Sequence, residues 1–250
     1  RAEFALDFIR RHSEGPFFFY AAFCIPHADY EVPSLEPYEN EPWDEQAKIQ
    51  AAMITRMDKD VGRILALLKE LGIDENTIVF FCSDNGVPKG AAEIFGGQGP
   101  FRERKGSIYE GGTRTAMVVR WPGKTPKNQV SDTPWYFADI MPTFAELAGA
   151  EPPKNLDGIS VLPTLLGKEQ DLSDRFMYWE QISGKTVQQG ARLGKWKAVK
   201  LGQDKPLELY DLDADIGETT DIAAKHPEIV DRFENYLRGA RTESPYWPTK

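Results

Sequence analysis

The amino-acid sequence predicts an α/β fold, and two observations carry that prediction. Apolar runs of strand length, at residues 16–24, 78–82 and 115–121, are separated by stretches whose apolar residues recur at helical spacing. An order in which strands and helices alternate is typical of parallel sheets covered by helices. A chain of 250 residues has room for one large domain, or for one domain with a small appendage.

Composition excludes several classes of function. The chain is 41% hydrophobic and 28% charged, which is ordinary for a globular protein. Its net charge of -9 disfavours nucleic acid and anionic membranes as partners, because both need a basic surface. No apolar run reaches the length of about 18 residues that a membrane span requires. Two cysteines cannot supply a disulfide framework.

The first elements follow from local patterns. Residues 1–11 are predicted to form an amphipathic helix, and a chain that opens inside a helix is expected to be part of a longer protein. The apolar run at residues 16–24 is predicted to be a strand buried on both faces. Residues 30–43, rich in proline and glutamate, are predicted to form a loop, and residues 44–71 a long helix ended by Gly72.

The middle of the chain continues the alternation. Residues 78–82 are predicted to form a second buried strand, followed by a glycine-rich loop at residues 86–99 and a third strand at residues 115–121. A helix is predicted at residues 133–149, ended by Gly149. Three long strands are few for a sheet, so further strands are expected to precede residue 1.

The last third of the chain has a different sequence pattern from the rest. Short strand-like pieces are separated by glycine and aspartate turns and followed by an amphipathic stretch at residues 227–239. These pieces predict a small antiparallel sheet with one helix packed on it. We therefore expect two domains, residues 1–168 and residues 169–250. The predicted strands lie at residues 175–179, 190–192, 196–200 and 207–210.

Polar residues that follow the strands are the candidates for chemistry, because ligands of open α/β sheets bind beyond the carboxyl ends of the strands. Asp84 and Asn85 follow the second strand and would offer the hard oxygen ligands that calcium or magnesium prefers. An Asp-Asn-Gly sequence is also common in simple turns. His27 follows the first strand and a proline, whereas Cys24 and Cys82, at strand ends, are expected to be inert core thiols.

A basic cluster stands out on this acidic chain. Residues 100–124 carry six lysines and arginines against two glutamates, and glycines surround them. A charge run is usually a solvated face. Here the cluster is positively charged, the rest of the chain is negatively charged, and glycines surround the cluster. These features favour a pocket for a small anion.

Taken in order, the motifs resemble those of the formylglycine-dependent sulfatases of the alkaline phosphatase superfamily. They are F-F-x-Y-x-x-F-x-x-P-H ending at His27, S-D-N-G from Ser83, G-P-F-R-x-x-K-x-x-x-Y-E-G-G-x-R from Gly99, and R-W-P-G from Arg120. The tail, with Arg192-Leu-Gly-Lys-Trp-Lys and Glu208-Leu-Tyr-Asp-Leu, is similar to the C-terminal subdomain of bacterial arylsulfatases. The resemblance covers essentially the whole chain.

The resemblance implies a fold and a set of roles. The fold would be the C-terminal half of a sulfatase-type three-layer sandwich with a parallel or mixed sheet, plus the small antiparallel sheet. Asp84 and Asn85 match the pair that completes a calcium site. Lys105 matches the lysine that contacts the sulfate and the leaving-group oxygen, and His27 a histidine that faces the ester oxygen and acts as general acid. Arg114 is expected to brace the loop.

The sequence also departs from the family pattern. The family nucleophile is a formylglycine made from C/S-x-P-x-R, and Cys24-Ile-Pro-His-Ala lacks the arginine and lies in the wrong segment. The nucleophile and two further metal aspartates are therefore expected upstream of residue 1, and this chain is expected to carry half of an active site and to be inactive alone. Smaller departures are Arg102-Glu-Arg before the lysine and Asp215-Ile-Gly-Glu in the tail.

The expected activity is hydrolysis of a sulfated sugar or an aryl sulfate by a periplasmic or secreted enzyme that uses calcium. One alternative is a phosphomonoester, phosphodiester or phosphonate hydrolase of the same superfamily, in which Asp-His typically stands where this chain has Asp84-Asn85. Another is a module that binds sulfated glycan without catalysis, or a scaffold fragment with no activity. The sequence upstream would separate these alternatives.

Overall fold

The computed structural model describes residues 2–27, 29–183 and 186–246. The chain divides into two compact units. The first unit comprises Arg1–Phe81 with Val118–Thr125, and the second comprises Cys82–Met117 with Pro126–Lys250. The division into residues 1–168 and 169–250 stays a prediction, because it concerns domains of the parent fold. No helix in the described part of the chain is both long enough and apolar enough to cross a bilayer.

Two helices form the core of the first unit. They are α1 (Ala2–His12) and α2 (Glu45–Glu70), both close to their predicted bounds. The carboxylate of Asp44 accepts a hydrogen bond from the Ala47 amide at 2.8 Å and so caps the start of α2. Leu6 and Ile9 of α1 pack against the leucines near the end of α2, which buries the apolar faces that the spacing predicts.

A two-stranded sheet is formed by β1 (Val79–Cys82) and β2 (Met117–Arg120), which confirms both predicted strands. The predicted burial of β1 is wrong, because three of its residues are half-buried and Phe81 is exposed. Two short helices lie between them in sequence, α3 (Lys89–Phe95) and α4 (Glu110–Thr113). The predicted 86–99 loop is therefore partly wrong. The segment Lys-Gly-Ala-Ala-Glu-Ile-Phe is rich enough in good helix formers to fold as α3 despite its glycine.

The helix predicted at residues 133–149 begins later than expected. A short 3-10 turn (Phe137–Asp139) leads into α5 (Ile140–Ala148), which ends at Gly149 with φ 64°. The delay has a local cause, because a residue that precedes proline disfavours the helical region, and Pro134 comes early in the predicted range. A further short helix, α6 (Leu162–Leu165), follows.

The predicted run of small strands is confirmed as a four-stranded antiparallel sheet in the order β3-β4-β5-β6. The helix α7 (Pro227–Ala240) packs on it, as predicted. The strands are β3 (Phe176–Ser183), β4 (Thr186–Leu193), β5 (Trp196–Lys200) and β6 (Glu208–Asp211). The α/β fold class predicted from the sequence is confirmed.

Both faces of this sheet are covered. Ala198 and Leu209 point to one face and pack with Phe233 of α7. Their neighbours in sequence, Val199 and Tyr210, point to the other face and pack with residues 108–109, because side chains alternate along a strand. The segment before α4 therefore lies against the sheet from the side opposite α7.

The strand predicted at residues 16–24 is wrong. The segment has no regular secondary structure, and its residues are exposed or half-buried. The Phe23 amide donates to Ala21 O at 3.0 Å, which is a local turn bond and not part of a strand ladder. The apolar composition of the segment predicts that it prefers burial. It does not specify a strand with which the segment would pair.

Candidate functional site

The turn after β1 presents oxygen atoms to solvent. Asp84 is exposed and Asn85 is half-buried. The Asn85 amide nitrogen donates to its neighbour's carbonyl, Gly86 O, at 2.9 Å, and the Ser83 hydroxyl donates to Asn85 O at 3.1 Å. These bonds hold the turn while the Asp84 carboxylate and the Asn85 Oδ1 stay available as acceptors.

The chemistry of these donors fits part of a calcium site. A carboxylate and an amide oxygen are the hard ligands that calcium takes, but calcium takes six to eight of them. Within the described residues, no three histidine, cysteine, aspartate or glutamate side chains come together to hold a metal. Asp84 and Asn85 can therefore contribute ligands to a calcium ion, and other groups must complete its coordination.

Lys105 lies on a loop that is bonded to the segment after this turn. Its backbone amide donates to Val87 O at 2.9 Å, and the Gly86 amide donates to Gly112 O at 3.0 Å. The Lys105 side chain is exposed, and no ion pair to it occurs among the described residues. The structure thus brings the Asp84 turn and the Lys105 loop together in the second unit, with the ammonium group free to meet an anion.

Glycines make this close approach possible. A Cβ atom on Gly86 would stand 1.8 Å from Gly111 O, and a Cβ atom on Gly111 would stand 2.2 Å from Glu103 O. A Cβ atom on Gly112 would stand 2.1 Å from Ser107 O. Because these neighbours are backbone atoms, which cannot rotate away, only glycine fits at the three positions.

His27 belongs to the first unit, and its side chain is exposed. Its backbone amide donates to Cys24 O at 2.9 Å, which closes a turn through Pro26. Convergence of His27 with the Asp84 turn and Lys105 stays a prediction. The expectation that Cys24 is a core thiol is wrong, because without a strand the residue is exposed. Cys82 is half-buried, and burial, followed by the charge of Asp84, raises the pKa of its thiol.

A buried charge cluster lies beneath the Lys105 loop. The Glu110 carboxylate, at the start of α4, accepts a hydrogen bond from Lys197 Nζ at 2.7 Å, and both side chains are buried. Burial acts to raise the pKa of Glu110, but the ammonium of Lys197 and the guanidinium of Arg192 outweigh it, so the pKa is lowered. Glu110 is thereby held as an anion in the core.

Glu218 is the second acidic residue of this cluster. It is fully buried, and its Oε2 accepts a hydrogen bond from the Glu110 amide at 2.7 Å. Its Oε1 is buried and has no hydrogen-bond partner within the part of the chain that the structure describes. Burial raises the pKa of Glu218 to about 7, against the opposing charge of Lys197.

The predicted anion pocket of six basic side chains is not a single site. Arg102 donates to Tyr210 and to Glu218 O, and Arg120 forms two 2.7 Å hydrogen bonds to Asp74. Arg114 contacts Glu110 at 3.3 Å and stacks over Phe101, which agrees with its expected bracing role. Four of the six cations thus contact acidic or aromatic groups nearby, with Lys124 placed over the Trp121 ring, whereas Lys105 is exposed and placed to meet a ligand.

The importance of Lys197, Glu110 and Glu218 as a group was missed from the sequence. Glu110, Lys197 and Glu218 occur in the sequence motifs, but the motifs assign no role to any of them. One signal could have indicated that Lys197 is buried. It lies in a short strand whose residues are buried on both faces, so its side chain must point into the protein. Its partner is 87 positions away, so local patterns could not identify it.

Chemically, the second unit offers an exposed ammonium group beside a turn rich in acceptor oxygens. Such an arrangement suits a tetrahedral oxyanion, because a metal held by the turn and the lysine would both stabilise its negative charge. The close glycine packing fixes the backbones that carry these two groups, which limits the arrangements that the exposed side chains must search around a ligand.

Comparison with known proteins points to one family. A family profile described as Sulfatase matches residues 2–150, and one described as N-sulphoglucosamine sulphohydrolase, C-terminal, matches residues 96–243. N-acetylgalactosamine-6-sulfatase of Canis lupus familiaris is 37% identical over 199 residues, which cover 78% of this chain and 36% of the relative. N-acetylgalactosamine-6-O-sulfatase of Bacteroides thetaiotaomicron is 30% identical over 262 residues, which cover 95% of this chain and 50% of the relative.

A solved structure agrees with the sequence relatives. The structure of Ps i-CgsB in complex with k-i-k-neocarrahexaose matches with a TM-score of 0.89 at 28% identity, over 100% of this chain and 56% of that chain. The chain therefore spans about half, or less, of the length of the relatives it matches.

Proposed function

We propose, from the premise that this chain belongs to the sulfatase family, that its residues take part in the hydrolysis of a sulfate ester. The observation that carries the proposal is the exposed Lys105 ammonium on a loop bonded to the segment that follows Asp84 and Asn85. Family membership supports the reaction class, and this geometry supports the assignment of anion binding to Lys105.

The substrate class is proposed as sulfated carbohydrate. Two relatives are named for the 6-sulfate of N-acetylgalactosamine, and the Ps i-CgsB structure holds a neocarrahexaose. An aryl sulfate is a simpler ester of the same kind. We also propose that the whole protein is periplasmic or secreted, where such glycans would be met.

The proposed reaction splits R-O-SO3⁻ and water into an alcohol and hydrogen sulfate. Lys105 would bind the sulfate and stabilise the charge on the leaving oxygen, and His27 would donate the proton that this oxygen takes up. Asp84 and Asn85 would contribute ligands to calcium, which would supply positive charge to polarise the sulfate. The nucleophile, a formylglycine in this family, would come from a segment outside these 250 residues.

The main alternative is hydrolysis of a phosphate or phosphonate ester. Asn85 favours sulfate. The phosphate-ester hydrolases of this superfamily typically have Asp-His here and bind two metal ions, whereas an amide oxygen is a hard ligand that suits a single calcium ion. A module that binds glycan without catalysis is the other alternative. It would need Lys105 for affinity but would show no turnover.

The test is an assay of the full-length protein that contains this chain, with 4-nitrophenyl sulfate, N-acetylgalactosamine 6-sulfate and 4-nitrophenyl phosphate as substrates. We expect turnover of a sulfate ester, and Lys105→Ala should lower kcat by about 100-fold or more, as removal of one preorganised charge donor does. Lys154→Ala is the matched control, because Lys154 is also exposed in the second unit.

Unchanged turnover in Lys105→Ala would contradict the proposed role of the lysine. Faster hydrolysis of the phosphate than of either sulfate would favour the alternative hydrolase. Binding of sulfated sugar by the wild-type protein, without hydrolysis, would favour the glycan-binding module.

A further inference from the structure

Glu218 contacts both ends of the loop that carries Lys105. At the far end of the loop, its Oε2 accepts the hydrogen bond from the Glu110 amide at 2.7 Å. At the near end, its backbone oxygen accepts a hydrogen bond from Arg102 Nη1 at 2.8 Å. One residue of the C-terminal part thus holds residues 102 and 110, with Lys105 between them.

The loop is closed between these two points. The Gly111 amide donates to Arg102 O at 2.8 Å, so the two ends of the loop are bonded to each other as well as to Glu218. The Arg102 guanidinium also lies 3.9 Å from the centre of the Tyr109 ring, which is a cation-π distance. Because the two ends of the loop are bonded to each other, a displacement of these ends is expected to move the residues between them.

The loop is also bonded directly to the sheet. The Tyr210 hydroxyl accepts from Arg102 at 2.9 Å, and the Glu208 carboxylate accepts from the hydroxyl groups of Tyr109 and Tyr210 at 2.6 and 2.7 Å. Gly190 of β4 leaves room for Ile108, since a Cβ atom there would stand 2.3 Å from its side chain. The small sheet therefore serves as the base on which the loop rests.

We propose that Glu218 is a positioning residue for Lys105, and that it helps the C-terminal sheet to hold the lysine loop, and with it the lysine ammonium, where the sulfate ester binds. This inference rests on the proposed function for the role of Lys105. Glu218 would not touch the substrate. Its effect would pass through the Glu110 amide and the backbone of the closed loop.

A kinetic double-mutant cycle tests the coupling in the full-length protein. We expect Glu218→Ala to lower kcat for a sulfate ester by roughly 10- to 100-fold, the scale of a misplacement of about 1 Å. In a Lys105→Ala background, the same change should have little further effect, because the group that it positions is absent. Glu169→Ala is the control, since Glu169 is exposed in the same unit.

A second readout does not depend on activity. Hydrogen exchange of the amides of residues 110–112 should become faster in Glu218→Ala and should be unchanged in Glu169→Ala. Glu218→Gln keeps an oxygen that can accept from the Glu110 amide, so it should restore most of the protection and most of kcat. This conservative variant also covers the case in which the alanine variant fails to fold.

The outcomes separate this inference from the proposed function. Independent losses that multiply in the double variant, or unchanged exchange at residues 110–112, would overturn the positioning role of Glu218. Full activity of Lys105→Ala would instead overturn the proposed function, while faster exchange in Glu218→Ala would still report the anchoring of the loop.

Discussion

Burial and hydrogen bonding act on the Glu218 carboxyl group in opposite directions. The hydrogen bond from the Glu110 amide favours the anion, whereas burial favours the neutral acid and has the larger effect, so the pKa rises from 4.5 to about 7. The charged groups that face it are Lys197, Arg102 and Glu110. The folded protein therefore keeps a proton that the unfolded chain would release.

The sign of the resulting pH dependence follows from proton binding. Between pH 4.5 and about 7 the folded state binds more protons at Glu218 than the unfolded state does, so this residue's contribution makes stability fall as pH rises. Above about pH 7 both states are ionised and the loss is complete. Glu218→Gln removes the titration, so the difference in unfolding free energy between wild type and variant should change by on the order of 1–3 kcal/mol across this window.

Denaturant unfolding at several values between pH 4.5 and 8 measures that difference. Glu169→Gln is the matched control, since its exposed carboxylate should leave the slope unchanged. If the unfolding free energies of wild type and Glu218→Gln changed equally with pH, the folded and unfolded states would bind the Glu218 proton equally well. That result would contradict the prediction.

Among the elements, α7 packs on the four-stranded sheet through several aromatic side chains, of which Phe233 is the most deeply buried. Phe233 is fully buried, and its ring meets Phe176 of β3 edge-on at 5.4 Å. Removal of a buried phenylalanine side chain costs its transfer free energy and leaves a cavity. The packing of α7 on the sheet is therefore expected to be sensitive at this position.

Phe233→Ala should lower the free energy of unfolding by about 3–5 kcal/mol. Phe137→Ala, in which a ring that is 53% exposed is removed from the same unit, should cost much less. Denaturant unfolding, followed by the fluorescence of the tryptophans at positions 179 and 196, compares the two. Equal losses would mean that the α7 packing contributes little.

At the scale of elements, the sequence predicts what is encoded locally. The bounds of α2 follow from the cap at Asp44 and from Gly72, and α5 ends at Gly149 as expected. β5 follows from its apolar alternation and short turns. The strand predicted at residues 16–24 is wrong because strand pairing is not encoded locally. An apolar run does not specify the backbone with which it would pair.

For the whole molecule, the prediction of a half-site leads to a test on the 250-residue chain alone. Asp84 and Asn85 supply only part of the oxygen ligands that calcium needs, so its affinity should be weak, at the millimolar end of the usual range. Without the expected nucleophile, the chain should not turn over 4-nitrophenyl sulfate.

Calorimetric titration with calcium, together with the sulfate assay, measures both quantities on the purified chain. The Asp84→Ala variant serves as control, because it should abolish whatever weak calcium binding the turn provides. Micromolar affinity together with turnover would show that the site is complete within these residues.

The candidate site was only partly predictable at this scale. His27, Asp84, Asn85 and Lys105 can be proposed from the sequence because each belongs to a short motif. The groups that fix Lys105 were not found as a set, since Glu110 is bonded to Glu218 across 108 positions and Arg102 to Tyr210 across the same number. Only the folded chain shows that the tail and the lysine loop form one structure.

The contact between Glu110 and Glu218 also imposes an order of events during synthesis. The lysine loop leaves the ribosome 108 residues before the glutamate that fastens it. At about 5–20 residues per second, that separation corresponds to roughly 5–20 s of translation. During that interval the loop lacks its anchor and its supporting sheet. The loop that carries Lys105 can therefore take its anchored conformation only after Glu218 has emerged.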